Sequence, residues 1–145
     1  MALSNGTGSG GDFFPVEEHR NAKAILIETT KILKDQPGKW GNRDIGVADF
    51  TVFPDIETLN GDKEPAFLQG TRIDKKWIVQ DMEEKFEAGE DIVAKLVARP
   101  NPNGDKPIWV IRSVDNAIFS MVADYVAKRD EELAAAMAED EPDWA

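Results

Sequence analysis

Five stretches of this chain read as strands, two of them by alternation of apolar and polar residues, and along two others apolar residues recur every three or four positions. Ala24-Ile25-Leu26-Ile27-Glu28-Thr29-Thr30-Lys31-Ile32-Leu33 is rich in branched side chains and free of Gly and Pro, which predicts a long, strongly bent strand. Ile45 to Phe53 alternates cleanly, with Ala48, Phe50 and Val52 on one face and Asp49, Thr51 and Phe53 on the other; Pro54 ends it. Residues 55–65 read as an acidic connection with a turn at Asn60-Gly61-Asp62. Phe67 to Ile73 predicts a third strand with a bulge at Gly70. Asp74 is placed to cap a helix whose stripe is Ile78, Met82 and Phe86, with Gly89 as its C-terminal stop. Ile92 to Arg99 and Ile108 to Arg112 are a fourth and a fifth strand, joined by a hairpin tip at 100–105. Asp115 opens a last helix over 115–138. Its apolar stripe (Ile118, Met121, Val122, Tyr125, Val126) fades after Leu133, so its first half is expected to dock and its second half to be solvated.

Three strands, a helix, two strands and an appended helix make a mainly β chain. The order is that of the OB-fold, a five-stranded, partly open barrel with a helix between strands three and four; a sandwich or another small barrel is the alternative. The domain organisation follows: a flexible leader over 1–11, the OB-fold domain over 12–114, the C-terminal helix over 115–138 and an acidic tail over 139–145. Phe13 and Phe14 are expected to pack on the body as a plug.

Charge changes the picture. The chain has 145 residues and a net charge of −11, which looks hostile to an anionic ligand. Residues 130–145, however, hold seven acids and no base; taking those from the 28 leaves 21 acids against 17 bases, a net of only −4. A local basic groove on the body is therefore compatible with the total.

Oligonucleotides bind OB barrels on strands two and three and on the loops after strands one and four. The first of those loops carries Lys39 and Trp40 between Gly38 and Gly41, with Arg43 just after, an aromatic face for a base flanked by cations for phosphates; the competing reading folds Trp40 back on the barrel edge. Arg72, Lys95, Arg99, Lys106 and Arg112 extend this into a phosphate track. Phe53 is a candidate stacking residue, or else closes the barrel end; Trp77 and Trp109 read as core. Catalysis has little support. His19 is the single histidine and has no Ser or Cys motif near it, Cys is absent, the acids show no metal-loop spacing, and the Gly-rich start opens no helix, so neither cofactor nor metal is expected. No apolar run reaches the ~20 residues that span a bilayer, so no membrane partner is expected.

Four stretches carry a resemblance: Phe13-Phe14-Pro15 with Ala24–Glu28, Pro37-Gly38-Lys39-Trp40-Gly41, Ala48-Asp49-Phe50-Thr51-Val52-Phe53, and Pro107-Ile108-Trp109-Val110-Ile111. Together they make most of residues 12–113 resemble bacteriophage-type single-stranded DNA-binding proteins with an OB-fold. The resemblance implies a non-enzymatic, sequence-tolerant coat on single-stranded DNA in phage replication or recombination, in the cytoplasm of a bacterial host. The end Asp140-Glu141-Pro142-Asp143-Trp144 is similar to the acidic, hydrophobic-tipped tails of cellular single-stranded DNA-binding proteins, and implies docking of replication or recombination proteins. It departs from them in that Ala145 follows the aromatic residue, and in that helix 115–138 stands in place of a low-complexity linker. The alternative is a phage interaction or assembly adaptor without nucleic-acid binding, forming a homo-oligomer through helix 115–138. RNA binding on the same surface is a third reading.

Overall fold

The computed structural model describes residues 13–39 and 41–140, the last two without their side chains. The elements are β1 (Ala24–Gln36), β2 (Arg43–Phe53), α1 (Ile56–Asn60), β3 (Ala66–Ile73), α2 (Lys76–Glu87), β4 (Ile92–Arg99), β5 (Ile108–Ser113) and α3 (Asn116–Asp140). All five strands join one antiparallel sheet in the order β3-β2-β1-β4-β5. β3 and β5 are its edges, and among the described residues no ladder closes them into the expected barrel.

β1 organises the molecule because both faces of its first half are buried. Ile25 and Ile27 enter the main core with Phe50, Val52, Met82 and Trp109, while Ala24 and Leu26 enter a second core with Phe53, Leu59 and Val122. A strand covered on both sides needs an unbroken apolar run, which is what residues 24–27 supply. Beyond them the strand bends at two register shifts, one between Thr29 and Lys31 and one between Leu33 and Gln36. At the first, the Thr30 hydroxyl donates to the Val47 carbonyl at 3.1 Å. At the second, Asp35 has φ of +51°, which a short polar side chain tolerates, and its N–H donates to Asp44 at 3.0 Å. Hydrogen bonds to Glu83 and Asp44 push the Lys34 ammonium up to about 12 and tie this end of β1 to α2 and β2.

The bulge foreseen at Gly70 is present: β3 slips by one residue against Ala48–Phe50 of β2, Gly70 takes φ of +59°, and its N–H donates to Asp49 at 2.8 Å. α2 covers the main core with Ile78, Val79 and Met82. It fits closely over β2 because position 46 has no side chain: a Cβ there would lie 2.6 Å from the Met82 methyl carbon. Gly89 follows the cap residue Ala88, and the Gly89 and Glu90 N–H groups return to Phe86 and Lys85 at 3.1 and 2.9 Å.

Three expectations for these segments need correction. Asp74 does not cap α2; the cap residue is Lys75, without a side-chain hydrogen bond, and Asp74 pairs with Arg43 instead. Phe86 is 42% exposed, so the buried stripe stops at Met82. The acidic connection contains a helix, α1, held by a reciprocal cap in which the Thr58 N–H donates to Asp55 at 3.0 Å and the Asp55 N–H to the Thr58 hydroxyl at 3.4 Å. Phe14 is buried against Phe50, as a plug would be, whereas Phe13 stays 42% exposed.

α3 opens at Asp115, whose carboxylate accepts from the Ile118 N–H at 3.0 Å. Val122 is fully buried, and Tyr125 meets Phe53 edge-on at 5.1 Å. The docked half ends at Arg129, whose guanidinium grips Glu28 of β1 with two bonds of 2.8 and 2.9 Å. Every described side chain from Asp130 to Ala138 is exposed, so the second half is solvated as expected. Arg129→Ala should therefore cost only about 1 kcal/mol in urea unfolding, since both partners are partly exposed. It should also speed amide exchange over 116–129 while leaving the sheet protected; uniform acceleration would mean the clamp supports the whole fold rather than the helix.

Candidate nucleic-acid interface

The residues proposed for the first loop have different surroundings. Trp40 lies outside the described residues, as do Glu141, Pro142, Asp143 and Trp144 of the tail; Asp140 ends α3, and its side chain is not described. Lys39 is exposed. Arg43 is not a free cation: its Nε sits 3.2 Å from Asp74 Oδ2, and its guanidinium lies 5.6 Å from the Phe13 ring centroid. It braces the loop against β3 and the N-terminal segment. Arg72 stands across Val47 from Lys31, and its carbonyl accepts the Phe14 N–H at 2.7 Å. Phe67, on β3 beside Thr51 of β2, is 56% exposed, an aromatic face that the sequence reading passed over.

Phe53 cannot be a stacking residue, because it is wholly buried. Alternation correctly puts it on the face away from the main core, but α1 and α3 cover that end of the face with Leu59, Val122 and Tyr125. Trp77 errs in the other direction. Expected in the core, it is 46% exposed, because α2 spends its inward face on Ile78, Val79 and Met82 and the preceding position turns away. Trp109 is buried as expected.

The cations gather at β4 and β5. Ladder partners are Lys95 with Arg112, Val97 with Val110 and Arg99 with Ile108, on the face opposite core residues such as Leu96 and Trp109. Lys95 and Arg112 are thus like charges directly across an antiparallel pair, a destabilising arrangement unless something anionic lies over them. Arg99 and Arg112 line a groove of about 490 Å³ between α2 and β5, with Trp77, Gln80, Asp81 and Ile108. Burial, reinforced by the Glu84 charge, pushes the Asp81 carboxyl above the usual carboxylate range. Lys95 lines a second hollow of about 380 Å³ with Arg20 and Lys23. Neither of those two was singled out from the sequence; they lie in an irregular segment and are brought to β4 by tertiary contacts such as the Lys23 N–H bond to the Phe53 carbonyl at 2.9 Å. Arg20 also lies 5.8 Å from the Trp109 ring centroid. Lys106 is exposed in the adjoining hairpin loop. Among the described residues none of Arg20, Lys23, Lys95, Arg99, Lys106 and Arg112 forms an ion pair.

Among the described residues no group of three or more His, Asp and Glu side chains converges as a metal site, and no helix is long and apolar enough to cross a membrane. Compared with known proteins, the chain matches no family model, no curated protein and no solved structure.

Proposed function

We propose that this protein is a sequence-tolerant single-stranded DNA-binding protein, without catalytic activity, that coats and protects exposed strands during phage replication or recombination. The observation that carries the reading is the track of unpaired cations on β4, β5 and the segment before β1. In a chain with 28 acids, six cations without carboxylate partners, two of them face to face, mark a surface complementary to phosphates. No base-reading geometry is required of such a surface, which suits tolerance of sequence. We read the sheet as an OB-type barrel left open between β3 and β5, with α2 packed beside the loops after β1 and β4. Lys39, Trp40 and Arg72 would extend the contact toward β2 and β3. Anisotropy titration with an oligo-dT of about thirty nucleotides at low salt tests the reading; affinity should fall steeply as salt rises. No binding at low salt would end it.

The tail is the proposed recruiting element, with Asp140, Glu141, Pro142 and Asp143 presenting charge and Trp144 an aromatic anchor to replication or recombination proteins. It also shares the sign of the ligand. Truncation after Ala138 removes four carboxylates and should tighten oligo-dT binding by about threefold at low salt, with the gain vanishing at high salt. Unchanged affinity would confine the tail to partner binding. A second reading, an assembly adaptor, has one observation behind it: Leu133 and Met137, one turn apart on the solvated half of α3, are 59% and 63% exposed. Concentration-dependent oligomers that disappear on Leu133→Ser with Met137→Ser, together with no DNA binding, would favour it.

A further inference from the structure

We infer that the groove between α2 and β5 seats one unstacked nucleotide of the bound strand, the base lying on Trp77 and its phosphate held by Arg99 and Arg112. This rests on the single-strand reading and goes beyond it by assigning a stacking platform outside the loops and strand faces where OB barrels ordinarily hold their ligand. Trp77 is a large apolar side chain left 46% exposed although the core lies one residue away at Ile78. Its ring is kept in place by a helix that is itself anchored through Ile78, Val79 and Met82, so little ordering remains to be done when a base arrives. The Lys76 ammonium lies over the ring, 5.1 Å from its centroid, so it covers one face with positive charge and the base takes the other.

The volume, about 490 Å³, falls within the range of ~300–1,000 Å³ typical of small-ligand sites. Gln80 and Asp81 follow Trp77 by three and four residues, so they share its side of α2 and offer an amide and a carboxyl to a base edge. Arg99 and Arg112 close the other wall, neither neutralised by a carboxylate among the described residues. The groove therefore has an aromatic wall, a polar floor and a cationic wall. A base still stacked in a duplex has no free face for Trp77, so the groove selects single strands.

The test compares Trp77→Ala and Trp77→Phe with the parent protein by anisotropy, using dye-labelled oligo-dT and an oligomer of the same sugar-phosphate backbone lacking bases. Thermal unfolding of each variant checks that the fold is kept, and the half-exposed position makes that the expected result. Trp77→Ala should weaken oligo-dT binding by about 5- to 100-fold with an unchanged salt slope, whereas Trp77→Phe should stay within about threefold. All three proteins should bind the baseless backbone equally. Parent-like oligo-dT affinity in Trp77→Ala would overturn the seat while leaving the single-strand reading intact. Equal losses in the Ala and Phe variants, or an equal loss on the baseless backbone, would overturn stacking. A parent protein that binds neither oligomer would overturn the single-strand reading and the seat together.

Discussion

Lys95→Gln, Arg99→Gln and Arg112→Gln combined should lower the affinity for oligo-dT by about two to three decades near 50 mM salt. Each phosphate neutralised on a single strand contributes about 0.7 to the slope of log affinity against log salt, so losing three contacts should flatten the slope by about 2. The decades follow from extending that slope from high salt, where the contribution disappears. All three side chains are exposed, so the fold should survive. Urea unfolding should shift by less than about 0.5 kcal/mol, and toward greater stability if anything, because the Lys95–Arg112 opposition across the ladder is relieved. Arg43→Gln is a useful contrast. Its guanidinium is engaged with Asp74 and Phe13, so its loss should disturb the loop after β1 and change the salt slope little. If the triple variant keeps the parent's slope, the β4–β5 face is not where phosphates lie.

How far the sequence foretold this arrangement depends on what each signal measures. Alternation reports which of two faces a strand residue occupies, and it does so correctly along β2 and β4. It does not report what covers the outer face. Phe53, Thr51 and Asp49 share one face, yet Phe53 and Thr51 are buried and Asp49 is spent on the Gly70 N–H. The cover comes from α1 and α3, one of which was not foreseen. α1 is five residues long with only Thr58 and Leu59 buried, too little apolar periodicity to register, although Asp55 and Thr58 have capping chemistry at the right spacing. β1 extends three residues past its expected end because Lys34 and Asp35 are held by Asp44 and Glu83, and the Gln36 amide by the Lys34 carbonyl, rather than by burial. Polar strand ends of that kind carry no hydrophobic signal. The cations on β4 and β5 were legible, since strand position fixes their face. Arg20 and Lys23 were not, because only folding places them beside Lys95.

The fate of Phe53 separates these two kinds of information. Phe53→Ala should destabilise the protein by about 3–5 kcal/mol, the usual cost of emptying a buried phenyl site. The ring is fully buried, contacts Tyr125 edge-on at 5.1 Å and shares its cluster with Leu26, Leu59 and Val122, so its removal opens a cavity where α1, α3 and β1 meet. Those elements come from different layers and cannot all move inward to fill the space, which argues for the upper part of that range. Against a total stability of about 5–15 kcal/mol, such a loss should lower the urea midpoint markedly and release α3 first, seen as faster amide exchange over 116–129. Oligo-dT affinity of the folded fraction should stay within about twofold of the parent, because the cluster's hydrogen bond to the cation track, from the Lys23 N–H to the Phe53 carbonyl, is made by the backbone and survives loss of the ring. Phe53→Leu should recover most of the stability, being a smaller change in volume at the same site. The opposite pattern, a stable Phe53→Ala protein that has lost its affinity, would return Phe53 to the DNA surface and require that α3 leave the sheet when the strand binds.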